Sequence, residues 1–498
     1  MLRPLLLAAL LASPFLAQAQ LSQAPLPQVP LPQAVLDKLA AANITPEAMS
    51  VLVLRGDQTL VSYQPERSMQ PASTIKLVTT IVGLDQLGPA FRARTELRSN
   101  ARVMGDMLLG DLVLRGGGDA DLDTTALAGM LQALRNQGIR RIGGKLVLDR
   151  SLFNPARTDV GLPPFDESPD AYYNVIPDAL LVNKNMLQLD IRSNEQGVQL
   201  VMQPELDRVK IESGMTLIAG ECGRWEDGWN QPEVIREASG TIRVVLRGTF
   251  PRNCVAANSI NVVDRQDYVD RLLRLTWETM GGEIAGETVS GVTPADARLL
   301  ASHQSRSLPE VVRDINKPSD NALARLVFLS LGSLEADPAL GSKTLAPLGG
   351  MTAVPTTSQR AELAVRGWMR ARGINDTGFV IDNGSGLSRT ERISAVQMAG
   401  VLQGALRSKW APEFQSSMPI AAVDGTMRRR LAGSPAAERA RIKTGGLSNV
   451  VAVAGYVPDA SGQLCVVVAM INVDQAGRGR PALDALIDWV ARSPTPGA

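Results

Sequence analysis

Two apolar periods alternate along this chain. Near the start, the apolar runs 51–54 and 60–63 flank Arg55-Gly56-Asp57-Gln58, which predicts a β-hairpin. Directly after it, Leu77, Ile81, Leu84 and Leu87 recur at helical spacing and Gly88-Pro89 supplies a stop, so a helix is expected over 73–87. Beyond Pro89 the period shortens. Residues 95–98, 101–104, 106–109 and 111–114 read as short strands broken by Gly105 and Gly110, and 145–148 as another after a helical stretch over 127–134. Residues 179–263 alternate short apolar runs with turns, so a second β-rich unit is expected there. Residues 268–280 return to the helical period through Val269, Leu272, Leu273 and Trp277, ended by Gly281-Gly282. Past Ala301 helices dominate, over 308–315, 322–331 and 357–372, and Ser394-Ala395-Val396-Gln397 is a capping box opening one more. The runs 450–457 and 464–471 then form an antiparallel meander, and 484–491 a closing helix.

A length of 498 residues exceeds what one core usually serves, and two or three domains are expected. The 51 lysines and arginines are balanced by 50 acidic residues, which gives nucleic acid no basis as a partner. Arg3, an apolar run over 5–16 and Ala17-Gln18-Ala19 make residues 1–19 a secretory signal peptide. That run is shorter than the ~20 residues of a membrane span, so the chain is expected to be exported and peripheral to a membrane at most. Residues 25–33, with two Leu-Pro-Gln repeats, read as an extended arm. Cys222 and Cys254 lie in loop-like sequence of the middle region and could close a loop of ~30 residues as a disulfide, whereas Cys465 sits in a strand-like run as a core thiol. With a single histidine, His303, and scattered cysteines, no metal site and no cofactor are expected.

The chemistry concentrates where serine and lysine recur at short spacing. On a helix, Ser73 and Lys76 share a face, so a neutral Lys76 amine would activate the Ser73 hydroxyl as a nucleophile. Ser73 is the only serine followed three residues later by lysine, and there is no Gly-x-Ser-x-Gly, so an ordinary Ser-His-Asp mechanism would rest on His303 alone. Ser319-Asp320-Asn321 offers a hydroxyl and an amide between two helices. Lys443-Thr444-Gly445-Gly446 precedes the meander, where glycines let another group lie close to a strand backbone. Gly116-Gly117-Gly118-Asp119 reads as a turn, since no Gly-Lys-Ser/Thr follows; 163–170 reads as a solvated acidic loop and 382–389 as a structural one.

Ser73-x-x-Lys76, Ser319-Asp320-Asn321 and Lys443-Thr444-Gly445 stand in the order of the penicillin-recognising serine enzymes. With the long stretch between Ser73 and Ser319, and the segments 110–119, 316–321 and 382–389, the chain resembles the class C low-molecular-mass penicillin-binding proteins, serine D-alanyl-D-alanine carboxypeptidases and endopeptidases. The resemblance implies an α/β multidomain fold. A β-lactamase/transpeptidase-like domain, an antiparallel sheet with helices, would occupy 20–95 and 298–498; an inserted domain would take 96–171 and 264–297, with a nested β-rich domain over 172–263. It implies Ser73 as nucleophile, Lys76 as base and Ser319 as proton relay, with Asn321 holding Lys76 and the substrate amide. Lys443 and Thr444 would receive the terminal carboxylate, and the amides of Ser73 and Gly446 the oxyanion. Many members of the family carry a hydroxyl residue where Gly446 stands, so a side-chain contact to the carboxylate would be missing. Asp166, with Glu167 and Asp170 as rivals, would grip the amino group of the peptide's diamino-acid side chain.

The partners implied are peptidoglycan stem peptides ending in D-Ala-D-Ala and β-lactam antibiotics, in the periplasm, with self-association left open. Two other readings share the motifs. A β-lactamase-like serine amidase would want a deacylation base, and no Glu-x-x-Leu-Asn lies between Ser319 and Lys443. A non-catalytic peptidoglycan-binding scaffold would not need to retain all three motifs.

Overall fold

The computed structural model describes residues 27–346 and 354–494, so the expected signal peptide lies outside the described residues. At its centre is a five-stranded antiparallel sheet in the order Gln58–Tyr63, Met49–Arg55, Leu464–Asn472, Val450–Pro458, Arg441–Leu447. The inner strands are buried almost throughout, which is why their sequences run apolar without alternating. With a side-chain period of two, Val51 and Val53 face one side and Leu52 and Leu54 the other. Val51 and Val53 pack with Val453 and Val467 against the helices Gln33–Ala41 and Arg480–Arg492, through Val35, Leu39, Leu483 and Leu486. Leu52 and Leu54 join Ala452, Val466 and Val468 beneath the helix Lys76–Leu87, around which Leu308–Asn316, Asn321–Leu331, Thr357–Ala371 and Ala395–Leu406 are packed.

The expected hairpin and meander are thus parts of one sheet. Gly88, in the left-handed region at φ 76°, ends the Lys76–Leu87 helix where the sequence places its stop. The last helix starts at Arg480, four residues before the expected 484, because Pro481 occupies its first turn, where a missing N–H does no harm. Ser394 caps its helix through the predicted box with Gln397.

Four further sheets gather between residues 94 and 304. One orders Thr288–Ser290, Leu146–Asp149, Leu112–Arg115, Arg94–Ser99 and Arg298–Gln304; a small four-stranded sheet joins Glu283–Ile284, Arg141–Ile142, Met107–Leu108 and Val103–Met104. At the expected boundary, 298, a further strand begins. Arg298–Gln304 pairs antiparallel with Arg94–Ser99 and buries Leu300 and Ala301 in the core of that region, while its polar, half-exposed end at Ser302-His303-Gln304 carries no apolar signal. Another sheet orders Val198–Gln203, Leu187–Ser193 and Val255–Ile260, and the last pairs Val209–Ser213, Thr216–Ile218 and Trp229–Arg236 with Ile242–Pro251. Cys222 and Cys254 are joined in a disulfide beside these two sheets, and Cys465 is a buried free thiol in the central sheet. No described helix is long and apolar enough to cross a membrane.

Candidate active site

The Ser73 helix opens with a tight 3-10 turn, Ala72–Ile75, before the α-helix begins at Lys76. Two glycines let other segments close onto this turn. A Cβ on Gly445 of the Arg441–Leu447 strand would stand 2.6 Å from the Pro71 carbonyl oxygen and 3.1 Å from Ser73 N. Gly386, at φ 84°, leaves no room for a Cβ against the Ala72 carbonyl and would place one 2.5 Å from Ser73 N. Ser73 is therefore gripped through its backbone from two sides, yet its side chain stays half-exposed. Lys76 is wholly buried.

The Lys76 amine meets three oxygens. Its Nζ lies 3.0 Å from Ser73 Oγ and 2.6 Å from Asn321 Oδ1, and it donates a short hydrogen bond to the Ser385 carbonyl. Asn321 Oδ1 and the Ser385 carbonyl can only accept, whereas Ser73 Oγ can donate. A neutral amine has two N–H groups for the two acceptors and one lone pair for the serine proton. Burial holds the Lys76 pKa well below the ordinary lysine range, and the nearby Lys443 lowers it further; Glu391 and Asp320 act in the opposite direction, and Arg325 lowers it. The site is thus built for a neutral amine facing a hydroxyl.

Ser319 and Lys443 form the second half. Ser319 sits in the left-handed region at φ 70°, one of the strained positions that cluster at functional sites. Lys443 is also wholly buried, with Nζ 2.8 Å from Ser319 Oγ and 2.9 Å from the Thr444 carbonyl. Burial brings its pKa down to about 7. Thr444 Oγ1 is 2.8 Å from the hydroxyl of Thr426, and Gly446 is exposed, with open space where a Cβ would stand. Asn321 is fixed at both ends, its Nδ2 donating to the Tyr173 carbonyl at 2.9 Å.

Asp166 makes its side-chain hydrogen bonds outside these groups. Its Oδ1 accepts from Ser168 N and from Asn174 Nδ2, so it organises the loop that ends at Tyr173. Its rival Asp170 is buried and accepts from Trp229 Nε1 at 3.3 Å, while Glu167 is exposed. Between the acidic loop and the 382–390 loop lies a cavity of about 640 Å³, lined by Phe165, Asn174, Arg325, Asn383, Leu387 and Arg389 among others, and by none of Ser73, Lys76, Ser319 or Lys443. His303 stands away from all of them, partly exposed, its Nδ1 2.7 Å from the buried carboxylate of Asp119, and so the Gly116–118 turn ends on a carboxylate paired with the histidine.

Sequence reasoning missed three contributors. The Ser385 backbone carbonyl brings the 382–389 loop into the site. Glu391, wholly buried, accepts from the N–H groups of Asn383 at 3.2 Å and Gly384 at 2.8 Å and so shapes that loop; burial, with the charge of Asp382, pushes its carboxyl up to about 7. Arg325, buried on the Asn321 helix, donates to the Val175 carbonyl at 3.1 Å. Backbone acceptors leave no mark in sequence, and Glu391 shows there only as one acidic residue among polar ones.

With this geometry in place, the comparison with known families is decisive: the model of the D-Ala-D-Ala carboxypeptidase 3 (S13) family matches residues 33–493. The chain belongs to this family. It is a serine-type DD-carboxypeptidase of the penicillin-binding class acting on peptidoglycan stem peptides, as the three motifs imply. A D-alanyl-D-alanine carboxypeptidase of Haemophilus influenzae, DacB, is 27% identical over 84% of this chain and 83% of its own length. A D-alanyl-D-alanine carboxypeptidase of an Actinomadura species, strain R39, is 28% identical over 87% of this chain and 78% of its own. The crystal structure of penicillin binding protein 4 from Haemophilus influenzae superposes with a TM-score of 0.75 at 24% identity, covering 92% of this chain and 99% of that one. The fold is therefore β-lactamase/transpeptidase-like, with mixed α/β layers and additional β-rich elements.

Gly386→Ala is expected to lower stability by about 1–3 kcal/mol and to slow acylation of the enzyme by penicillin, because the turn carrying Ser73 must yield. Thermal unfolding and the rate of labelling by a fluorescent penicillin check this; an alanine variant unchanged in both would show that the close approach does not hold the Ser73 turn.

Proposed function

We propose that Ser73 is the nucleophile, and the observation that carries this is the buried Lys76 amine 3.0 Å from its hydroxyl, with its two other partners obligate acceptors. Lys76 Nζ takes the Ser73 proton as Oγ attacks the carbonyl between the two D-alanines. The amides of Ser73 and Gly446 receive the oxyanion, a contact whose loss can cost about 3 kcal/mol. Ser319 accepts a hydrogen bond from Lys443, which leaves its own proton directed elsewhere, and it passes the proton from Lys76 to the departing D-alanine amine. Water then hydrolyses the acyl-enzyme. Lys443 and Thr444 bind the terminal carboxylate, and Asn321 holds Lys76 and the substrate amide. A β-lactam acylates the same serine.

The same chemistry at a D-alanyl cross-link makes the protein a DD-endopeptidase as well. The diamino-acid end of the peptide is assigned to Asp166, on the loop that reaches Asn321 through Tyr173. The β-rich elements are read as an inserted unit over 96–171 and 264–297 with a second nested within it over 172–263, and the pairing of Arg298–Gln304 with Arg94–Ser99 supports extending the first unit to those two strands. Export to the periplasm is supported by the leader over 1–19 and by the disulfide, a bond that persists in oxidising compartments.

Intact-mass spectrometry with benzylpenicillin should show one slowly released adduct, and none on Ser73→Ala, whose release of D-alanine from a pentapeptide should fall about a thousandfold or more. Undiminished turnover in that variant would remove Ser73 as nucleophile. The same spectrum of the exported chain should begin at Gln20; a chain retaining Met1 would overturn the leader assignment.

The pH profile of kcat/KM should be bell-shaped. On the acid side, protonation of Lys76 removes the base; on the alkaline side, Lys443 loses the charge that meets the carboxylate as pH rises through about 7. A substrate with an amidated C-terminus should lose the alkaline limb, and retention of that limb would separate it from Lys443. Asp166→Ala should weaken cleavage of peptides bearing a free diaminopimelate amine but not of N-acetylated ones; equal losses on both would place that subsite elsewhere.

A further inference from the structure

The β-rich region contributes more than bulk to the catalytic centre. Three of its groups reach the head of the Asn321–Leu331 helix: the Tyr173 carbonyl accepts from Asn321, the Val175 carbonyl from Arg325, and Lys184 Nζ pairs with Asp320 Oδ2 at 2.5 Å. Asp320 meanwhile caps the helix, its Oδ1 accepting from Leu323 N at 2.9 Å. The two carboxylate oxygens are therefore divided between a helix cap and a lysine from a different part of the chain.

The backbone that presents Lys184 is unusual. Asn183, Lys184 and Asn185 are three successive left-handed residues, at φ 47°, 52° and 56°. Asparagine visits this region readily and lysine does not, and such strain persists only where the surroundings enforce it. Here both flanks are locked. Asn183 exchanges side-chain hydrogen bonds with Thr124, donating to its hydroxyl at 2.9 Å and accepting from its N–H at 3.1 Å, and its own N–H donates to the Leu122 carbonyl. The buried Asn185 donates to Asn261 Oδ1 at 2.7 Å and to the Val263 carbonyl at 2.8 Å. Lys184 stands at the apex between two anchors and can meet Asp320 without searching.

We propose that Lys184 is a positioning residue for the reaction, holding and neutralising the Asp320 carboxylate so that Asn321 stays on Lys76 and the lysine base keeps its proton-free form. The proposal rests on the reading of Lys76 as base. The charged groups acting on Lys76 are Lys443, Glu391, Asp320 and Arg325; of the acidic pair, Glu391 is held by backbone N–H groups and Asp320 by Lys184. The other lysine near the motif, Lys317, is engaged with Asp424 at 2.5 Å. Without Lys184, the uncompensated Asp320 carboxylate favours protonated Lys76 and the base is lost at a higher pH.

The test is the pH dependence of acylation by a fluorescent penicillin in wild type, Lys184→Arg, Lys184→Met and Lys184→Met with Asp320→Asn. Lys184→Met should move the acid limb up by roughly one pH unit, a roughly tenfold slower acylation on that limb. Lys184→Arg should overlie wild type. Asp320→Asn removes the charge but keeps an oxygen for the helix cap, so in the double variant the limb should return to its original position. A Lys184→Met limb that overlies wild type, or a loss equal at every pH that Asp320→Asn does not correct, would overturn the proposal and leave Lys184 a structural tie. Failure of wild type itself to be acylated on Ser73 would instead overturn the reading of the site on which the proposal rests.

Discussion

A lysine amine sealed from water is the constraint that the rest of the structure serves. An ammonium in such a place is costly, and the protein meets the cost by keeping the amine neutral rather than by pairing it directly with a carboxylate. Asn321 and the Ser385 carbonyl saturate its two N–H groups with neutral acceptors, and the second buried lysine, Lys443, opposes a third proton from the far side. A carboxylate in place of either acceptor would favour the charged amine, which has no lone pair to face Ser73. The nearby acids are accordingly turned away, Glu391 toward backbone amides and Asp320 toward a helix cap and Lys184.

Neutrality of this kind demands close packing, and close packing explains the glycines. Ser73, the Ser385 carbonyl, Asn321 and Lys443 come from four segments far apart in sequence, and water must be excluded where they meet. Gly445 and Gly386 allow a strand and a loop to press on the turn of Ser73 from two directions, and the helices of the Leu52 face seal Lys76 from below. The left-handed backbones of Ala72 and Ser319 belong to the same economy of space.

The regular elements were readable because their apolar periods are local. Leu77, Ile81, Leu84 and Leu87 define the Lys76–Leu87 helix by themselves, and the apolar runs 450–457 and 464–471 mark two inner strands of the central sheet. The motif side chains are conspicuous in the sequence too, and in the structure Ser73 and Asn321 meet at Lys76 while Ser319 meets Lys443. What escaped was chemistry without a side-chain signature, or with one far from the motifs. The carbonyls of Ser385 and Tyr173 are anonymous in sequence, Lys184 is an ordinary lysine until its backbone conformation is known, and Arg298–Gln304 ends in polar residues because it is a half-exposed strand.

The strand order of the central sheet also fixes a timetable. Leu464–Asn472 lies between Met49–Arg55 and Val450–Pro458, so the two strands made first have no path to the rest of the sheet until nearly the whole chain has been synthesised. Contacts of such long sequence separation form late, after the loop-closure entropy between them has been overcome. The serine is among the earliest functional groups to be made and among the last to acquire its surroundings. An incomplete chain therefore carries Ser73 as an ordinary alcohol beside a hydrated lysine, and the buried surroundings of that pair arrive together with the completed fold.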